Sequence, residues 1–412
     1  MLVLSAILHF VYMFHYTLCL PGRKKISGCD LKKFCAVKSI NRTNFSIILI
    51  NNMMLKETTA KLILEDGTVF TGKSFGYEGS VAGEVVFNTS MTGYPESLTD
   101  PSFAGQIMVA TYPLIGNYGV PEAKMNDGLP DYFESERIQV TALIVSDYSE
   151  QYSHWSARKS LGDWLTAHHI PGLHGIDTRE LTKIIREKGA MLGKIVFGDN
   201  DPGFHDPNTD NLVAQVSTDK VVVYGNGSTR ILLVDCGVKY NIIRHFLKRD
   251  TTVIRVPWDY DYSNEQYDGL FISNGPGNPK MCDVTIAHLE KSLKQDTPIF
   301  GICLGNQLLA LASGADTYKL KYGHRSHNQP VLQCGTNKAI VTSQNHGFAI
   351  DNKTLSDEWE PFFVNLNDGT NEGIRHKTRN VFSVQFHPEA SSGPTDSEYL
   401  FDDFLKVVRE KK

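Results

Sequence analysis

The sequence predicts an α/β protein with two domains: an N-terminal mixed α/β domain, followed by a domain built on an open, mostly parallel β-sheet. Its 412 residues are enough for two hydrophobic cores. The C-terminal half contains short apolar runs at residues 231–235, 252–256 and 270–272, separated by segments with helical periodicity. Such runs are typical of buried parallel strands that are joined by crossover helices.

The N-terminal domain is predicted over residues 59–197 and begins with a hairpin. Residues 61–70 (KLILEDGTVF) contain two strand-like runs on either side of Asp66 and Gly67. Because an Asp-Gly pair favours tight turns, the two runs are expected to pair as antiparallel strands.

The clearest helix of this domain follows Asp177. Asp177 and Glu180 have the spacing of an N-cap pair, and Gly189 is placed to end the helix. The apolar face between them consists of Leu181, Ile184 and Ile185. This pattern predicts a helix that packs against the core.

A polar segment separates the two domains. Residues 198–229 begin with GDNDPG and continue through a second turn-forming stretch at residues 206–208 (DPN), which is the composition of a linker. The second domain is therefore predicted over residues 230–412.

One cysteine of the second domain has the sequence context of a nucleophile. Cys303 lies in residues 299–307 (IFGICLGNQ), where an apolar strand-like run is followed at once by a helical segment. Gly301 and Gly305 would let the chain turn sharply and place the thiol at a helix N-terminus, whose partial positive charge favours a thiolate. The alternative is a buried structural cysteine, because a free cysteine packs like a small apolar residue.

A histidine motif favours the catalytic alternative. Residues 382–389 (FSVQFHPE) alternate like a strand and contain His387, with Glu389 two residues later. Pro388 would fix the turn between them, so that Glu389 can orient the imidazole while His387 faces the thiol. Alone this is a weak signal, since the chain has 14 histidines, and only its pairing with the cysteine motif makes it informative.

With these motifs in place, the sequence resembles the class I (triad) glutamine amidotransferases. Residues 273–279 (SNGPGNP) and 343–348 (SQNHGF) stand where such domains keep their glutamine-binding loops. Upstream, residues 83–96 (GEVVFNTSMTGYPE) and 98–102 (LTDPS) resemble the front domain of one member only, the glutaminase portion of carbamoyl-phosphate synthetase. The resemblance extends from the predicted hairpin to the C-terminus.

The resemblance implies a role for each matching residue. Cys303, His387 and Glu389 would form the catalytic triad, and the backbone amides of Gly275 and Leu304 would form the oxyanion hole. The residues implied to contact glutamine are Gly277, Gln307, Asn345, Gly347 and Phe348, together with Ser102 from the front domain. Independently, the glycines of the first loop leave N–H groups accessible to a ligand oxygen, although an ordinary strand-end turn would also explain them.

The implied reaction is acyl transfer from the side-chain amide of glutamine. The Cys303 thiolate would attack the carbonyl carbon while backbone N–H groups stabilise the oxyanion. His387 would protonate the departing ammonia and then activate water against the thioester. Glu389 would orient His387.

Asn306 departs from the pattern of the family, because many relatives carry a histidine at this position. It is not a triad position, so the catalytic assignment is kept. A vertebrate mitochondrial branch that uses free ammonia also has asparagine here, but that branch has lost the cysteine. This chain retains both Cys303 and Gln307.

The resemblance also implies a partner, the large ATP-dependent subunit or domain of carbamoyl-phosphate synthetase. The chain has no P-loop motif and nothing like an ATP-grasp module, so ATP, Mg and bicarbonate are expected on that partner and no cofactor is expected here. The ammonia would supply pyrimidine or arginine biosynthesis. Two alternatives remain: an amidotransferase domain that serves another synthetase, and a catalytically silent regulatory or scaffold homologue.

The composition of the chain bears on its binding partners, its cellular compartment and metal binding. The formal net charge of -5 gives no basic surface for nucleic acid. The seven cysteines show no close pairs, and the one with a motif must be a free thiolate. The sequence therefore predicts an intracellular, reducing compartment, either cytoplasm or mitochondrion, and no metal site.

Residues 1–58 fit neither domain. The first 20 residues contain no Asp, Glu, Lys or Arg, and residues 23–25 (RKK) follow. A signal anchor or other targeting segment, an organellar transit peptide and a wrongly predicted start codon are all compatible with this pattern. No membrane association is expected for the two predicted domains.

Overall fold

The computed structural model describes residues 58–411. The N-terminal extension predicted over residues 1–58 therefore lies outside the described residues, except for Thr58. Within the described part of the chain, no helix is both long enough and apolar enough to cross a membrane.

The described residues contain eight α-helices, distributed over both domains. They are α1 (Tyr94–Thr99), α2 (Leu161–Ala167), α3 (Thr178–Lys188), α4 (Leu212–Val216), α5 (Tyr240–Leu247), α6 (Asp283–Ser292), α7 (Leu304–Ala312) and α8 (Tyr399–Lys411).

The N-terminal domain is a closed β-barrel with helices α1 to α3 around it. In hydrogen-bonded order its strands are β1 (Thr59–Leu64), β13 (Met191–Phe197), β3 (Val81–Asn88), β4 (Gln106–Ala110), β9 (Ala142–Ile144), β12 (Gly172–His174) and β2 (Val69–Ser74). Three pairs of short strands lie outside the barrel: β5 (Leu114–Ile115) with β10 (Asp147–Tyr148), β6 (Val120–Pro121) with β11 (Ala157–Lys159), and β7 (Met125–Asn126) with β8 (Leu129–Pro130). Strand β1 pairs with both β2 and β13, and this double pairing closes the barrel.

The predicted hairpin and the predicted helix are both confirmed. Strands β1 and β2 pair antiparallel around the expected turn. Helix α3 begins after Asp177, whose side chain accepts a 2.9 Å hydrogen bond from the amide of Glu180. Leu181 and Ile185 are fully buried in the core of the barrel, as their spacing predicted.

The second domain is built on a ten-stranded sheet. Its order is β14 (Val222–Tyr224), β16 (Thr251–Pro257), β15 (Thr229–Asp235), β17 (Gly269–Ile272), β18 (Ile299–Ile302), β23 (Val381–Val384), β22 (Asn371–His376), β21 (Trp359–Asn365), β19 (Thr317–Gln333) and β20 (Ala339–Ile350). Strands β16, β15, β17, β18 and β23 are mutually parallel. The expectation of a mostly parallel sheet holds for these central strands. The edge strand β14 pairs antiparallel with β16, and β22, β21, β19 and β20 pair antiparallel with their neighbours.

Apolar residues of β15 alternate between the two faces of this sheet. Ile231 and Leu233 pack in a cluster with α5 and α8, whereas Leu232 and Val234 pack in a second cluster with α6 and α7. Both faces of the strand are therefore buried, which explains why its sequence is a continuous apolar run.

The segment predicted as a linker contains regular structure. Residues 198–229 include α4 and the edge strand β14, which pairs antiparallel with β16. Asn211 caps α4 by accepting a hydrogen bond from the amide of Ala214. The polar composition suggested a plain connection because α4 has only five residues and β14 only three, too few to show a periodic pattern.

The chain turns sharply between β18 and α7, as the two glycines predicted. Cys303 occupies the turn with φ +54°, a conformation that is unusual for a residue with a side chain. A Cβ on Gly301 would lie 2.7 Å from the carbonyl oxygen of Gly305, and a Cβ on Gly305 would lie 2.3 Å from that of Ile272. Only glycine permits this close approach of strand and helix.

We expect Gly305→Ala to lower the free energy of unfolding by about 3 kcal/mol, because the added methyl group must displace backbone. Gly314→Ala is the matched control. Gly314 has φ +88°, but a Cβ at this residue would have no atom within 4 Å, so only a conformational cost of about 1 kcal/mol is expected. Urea unfolding of both variants measures the difference, and equal losses would contradict the steric explanation.

Candidate active site

Cys303 lies at the meeting point of strand β18 and helix α7. It is 2% exposed, and its amide donates a 2.8 Å hydrogen bond to the carbonyl of Val384 on the neighbouring strand β23. Its thiol lies 3.5 Å from the carbonyl oxygen of Asn345. The sheet thus fixes the backbone of the cysteine, while its sulfur faces Asn345 on strand β20.

His387 follows β23, the strand adjacent to the one that ends at Cys303. Its amide donates a 2.8 Å hydrogen bond to the carbonyl of Ser343, and its Nδ1 lies 2.7 Å from Oε1 of Glu389. Its Nε2 is buried and has no hydrogen-bond partner among the described residues. The carboxylate therefore orients the ring and leaves the other nitrogen available for proton transfer.

A lysine that the sequence did not single out completes this arrangement. Lys239 is buried, and its Nζ lies 3.1 Å from Oε1 of Glu389 and 2.6 Å from the carbonyl oxygen of Ala390. Its own amide donates to the side chain of Asn274. A single lysine after a strand carries no sequence signal, because only the fold brings it next to Glu389.

The buried charges shift one another's ionisation. Burial opposes the charged form of Glu389, but Lys239 and then His387 outweigh it and lower the pKa of this carboxyl to about 2. Burial likewise opposes the imidazolium, but the charges of Glu389 and Cys303 raise the pKa of His387 to about 10. An imidazolium beside a thiol favours the thiolate, which is the nucleophilic form.

These shifts define the pH range in which the His387–Glu389 pair stabilises the fold. The lowered carboxyl pKa contributes fully above about pH 4.3, and the raised imidazole pKa contributes fully below about pH 6.5, the ordinary values of the two groups. The contribution of Glu389 is lost as the pH falls towards about 2, and that of His387 is lost as the pH rises towards about 10.

The two amides predicted to form the oxyanion hole belong to neighbouring segments of the chain. Leu304 is the first residue of α7, so its N–H has no acceptor within the helix. Gly275 lies in the loop after β17, where a Cβ would meet the carbonyl oxygen of Cys236 at 2.0 Å and the side chain of Leu304 at 2.8 Å. The absence of a side chain on Gly275 therefore lets this loop pack closely against Cys236 and Leu304.

A cleft that is open to solvent lies in front of Cys303. Of the predicted glutamine contacts, the residues that line it are Ser102, Gly275, Gly277, Gln307, Asn345, Gly347 and Phe348. Leu304 is not among the lining residues and would contribute through its amide. The structure therefore brings the predicted binding residues together around the nucleophile.

The barrel domain supplies part of this cleft. Ser102 accepts a 2.8 Å hydrogen bond from the side chain of Asn274, and Asp100 accepts one of 3.1 Å from the side chain of Asn345. Asp100 also accepts a hydrogen bond from the amide of Ser102, which holds the segment in place. No role was predicted for Asp100, although it lies in residues 98–102, one of the two stretches that resemble the front domain of the family.

The residues that line the cleft include charges of both signs. Oε1 of Glu84, a barrel residue, lies 2.7 Å from Nζ of Lys319 on β19, and the buried Arg325 of the same strand also lines the cleft. No sequence pattern marks this grouping, because the barrel residue and the two residues of β19 lie far apart along the chain.

Asn306 lies behind the cleft. It is fully buried, accepts a 2.8 Å hydrogen bond from Ser383 and donates one of 3.1 Å to Gln385, both on the polypeptide segment that leads to His387. Gln307 donates to the same oxygen of Gln385 and to the carbonyl of Phe348. The amide of Asn306 thus ties α7 to the histidine-bearing segment and does not face the cleft.

Two family descriptions match this chain. The description "Glutamine amidotransferase class-I" matches residues 232–407, and "Carbamoyl-phosphate synthase small chain, CPSase domain" matches residues 62–195. The matched ranges correspond to the open sheet and to the barrel.

Individual relatives match most of this chain. The arginine-specific small chain of carbamoyl phosphate synthase from Aspergillus oryzae is 48% identical over 390 residues, which cover 92% of this chain and 86% of that protein. The mitochondrial carbamoyl-phosphate synthase [ammonia] of Mus musculus is 50% identical over 384 residues, 92% of this chain but 26% of that protein. The multifunctional protein CAD of Squalus acanthias is 51% identical over 360 residues, 86% of this chain and 16% of that protein.

The chain thus spans about a quarter of the length of the mouse relative and most of the fungal one. One assignment follows from two findings: the chain is extensively identical to a relative named as a small chain, and it contains both matched domains in order. The chain belongs to the carbamoyl-phosphate synthase small-chain family, and its C-terminal domain is a class I glutamine amidotransferase domain.

Proposed function

We propose that this chain is the glutaminase component of a glutamine-hydrolysing carbamoyl-phosphate synthase. The observation that supports this most strongly is the arrangement at the turn between β18 and α7. Cys303 is buried there at a helix N-terminus, next to His387, and Nδ1 of His387 is held by Glu389. This is the geometry of an activated thiol nucleophile. The barrel distinguishes the chain from amidotransferases that serve other synthetases.

The proposed reaction begins with attack of the Cys303 thiolate on the side-chain carbonyl carbon of glutamine. The carbonyl oxygen becomes an oxyanion that accepts hydrogen bonds from the amides of Gly275 and Leu304. The His387 imidazolium gives its proton to the departing nitrogen, the carbon–nitrogen bond breaks, and ammonia leaves a glutamyl thioester on the sulfur.

Water then completes the cycle. Neutral His387 accepts a proton from water as the oxygen attacks the thioester carbon, and the carbon–sulfur bond breaks to release glutamate. The sulfur leaves as a thiolate and His387 is again an imidazolium, so the starting ion pair is restored. Glu389 and Lys239 stay charged throughout and keep the ring in place.

The large synthetase subunit or domain is the proposed partner. The relatives named as small chains and the longer relatives that contain this region both support it. We propose that the partner binds ATP, Mg and bicarbonate and uses the ammonia for pyrimidine or arginine biosynthesis. We propose an intracellular location, in cytoplasm or mitochondrion, because the nucleophile must remain a reduced thiol.

The first test is Cys303→Ala in the full chain. We expect glutamine hydrolysis to fall by several orders of magnitude, because no other group can form the thioester, while the fold loses only about 1–2 kcal/mol. Cys334→Ala is the matched control, since this free cysteine is only partly buried and lies outside the cleft. Glutamate release with purified protein measures both variants, and retained activity in Cys303→Ala would contradict the mechanism.

The second test separates the two other members of the triad. His387→Asn should lower kcat by about 10⁴-fold, because both proton transfers are lost, whereas Glu389→Gln should lower it by about 10²-fold. The substrate should still bind to both variants. Steady-state kinetics decide the roles: equal losses of kcat would refute the assignment, and a change confined to KM would make Glu389 a binding residue.

The third test concerns the partner. The chain alone should hydrolyse glutamine slowly and make no carbamoyl phosphate, and a cognate synthetase subunit with ATP and bicarbonate should raise its glutaminase rate by about 5- to 150-fold. Such coupling is expected because ammonia released before bicarbonate is activated would be wasted.

Cys303→Ala provides the control for this experiment. This variant should still co-elute with the synthetase, which should then make carbamoyl phosphate only from added ammonium. A flat glutaminase rate together with no complex on gel filtration would refute the partner assignment, even if the chemistry at Cys303 is correct.

A further inference from the structure

A buried cluster of titratable residues lies behind the glutamine-binding loop, outside the triad. Its centre is His324 of β19, which lies opposite His346 in the register of β19 and β20. Nδ1 of His324 is 2.9 Å from Oε1 of Gln344 and 3.3 Å from Oε1 of Glu372. Its Nε2 is 2.8 Å from Oδ2 of Asp368. Both ring nitrogens therefore face oxygen atoms.

The hydrogen bonds around Gln344 determine what its oxygen does. The hydroxyl of Thr342 donates a 2.8 Å hydrogen bond to the carbonyl of Gln329, so this hydroxyl can only accept from Gln344. The amide nitrogen of Gln344 lies 3.2 Å from that hydroxyl, which leaves its oxygen to face His324. In this orientation of the Gln344 amide, His324 donates from Nδ1 to Gln344 and from Nε2 to Asp368, and only an imidazolium can do both. The carboxylate of Glu372, 3.3 Å from Nδ1, stabilises that charged form.

This cluster is connected directly to the proposed substrate site. Gln344 precedes Asn345, whose carbonyl faces the Cys303 thiol and whose side chain bonds Asp100. His346 donates from Nδ1 to the carbonyl of Phe348, the same oxygen that accepts from Gln307. The segment of residues 344–348 is thus held at one end by His324 and at the other by contacts of the cleft.

We propose that the His324 imidazolium, fixed between Glu372 and Asp368, is the positioning group that holds residues 344–348 in the geometry that binds glutamine. This inference rests on the proposed function, because the substrate of the cleft is taken to be glutamine. His324 does not touch the cleft and is therefore not a catalytic residue.

The charges around His324 support the proposal. Burial disfavours its charged form, but hydrogen bonding and charge from Glu372, together with the charge of Asp368, raise its pKa above the ordinary value. The other titratable group that faces it is His346, whose pKa burial and the charges of His324 and Arg325 lower well below the usual range. His346 also places its Nε2 3.2 Å from Oε1 of Gln344, so both rings contact the oxygen of this side chain. Burial raises the pKa of Glu372, and the hydrogen bond and charge of His324 oppose that shift, so the buried carboxylate and the His324 imidazolium stabilise each other.

The sign of the pH dependence follows from this shift. A raised pKa means that the positioning interaction is fully present below about pH 6.5 and is lost as the pH rises through the raised value. The affinity for glutamine should then decrease with increasing pH over that range.

The same cluster could be taken for a metal site. Ligand atoms of His324, His346 and Glu372 lie within 4.8 Å of one another, a spacing that a zinc ion could bridge. A metal ion needs a free lone pair on a ring nitrogen, however, and both nitrogens of His324 face acceptors. The contacts therefore favour a proton over a metal ion, and the metal content of the purified protein decides between them.

The test is the pH dependence of KM for glutamine in the full chain between about pH 6 and 9. In the wild type, KM should rise through an inflection above about pH 6.5, the unperturbed value of histidine. Glu372→Gln should move this inflection to lower pH, because the imidazolium loses one carboxylate. His324→Gln should raise KM by about 10- to 100-fold at low pH and abolish the inflection, with a much smaller effect on kcat.

His288→Gln on α6 is the matched control and should keep both the wild-type KM and its inflection. If His324→Gln does not fold, Asp368→Asn is measured in its place, because Asp368 is partly exposed and its replacement should be tolerated. The loss of this carboxylate should also shift the inflection of KM to lower pH. An unchanged pH profile in Glu372→Gln and Asp368→Asn would overturn the proposal, as would one equivalent of zinc bound to the purified protein. A wild type that does not hydrolyse glutamine at all would instead refute the proposed function.

Discussion

The buried charge chain from Lys239 through Glu389 to His387 is the interaction on which the site depends. An isolated carboxylate in this position would be expensive to bury, and the lysine and the imidazolium compensate it on both sides. Because Glu389 remains ionised, it can hold the imidazole in one orientation and stabilise its protonated form. The proposed reactivity of Cys303 thus depends on a lysine whose ammonium group contacts Glu389 and the carbonyl of Ala390.

The sheet fixes the position of Cys303 relative to His387. Cys303 and His387 follow the adjacent parallel strands β18 and β23, whose register is set by pairs such as Gly301 with Ser383. Both residues therefore emerge at the same edge of the sheet, where open α/β folds place their ligands. The strained φ of Cys303 is maintained by packing on both faces of the sheet.

Features that depend on short stretches of sequence could be predicted, and those that depend on distant contacts could not. The cap at Asp177 and the turn at Cys303 each need only a few consecutive residues, so their patterns were sufficient. Closure of the barrel requires β1 to meet β13, more than one hundred residues later, and no local pattern encodes that pairing. The roles of Lys239 and His324 could not be predicted for the same reason, because the residues that they contact lie far away in the sequence.

The contacts between the barrel and the open sheet explain why the two domains occur together. Asp100 and Ser102 of the barrel bond Asn345 and Asn274, which belong to the two segments that face the cleft. A free amidotransferase domain would leave these two polar side chains without the partners they have here, and it would also lack one wall of the cleft. The barrel is therefore part of the proposed binding site. A movement of the barrel relative to the sheet would change the hydrogen bonds that Asn274 and Asn345 donate to it, and with them the two segments proposed to hold glutamine.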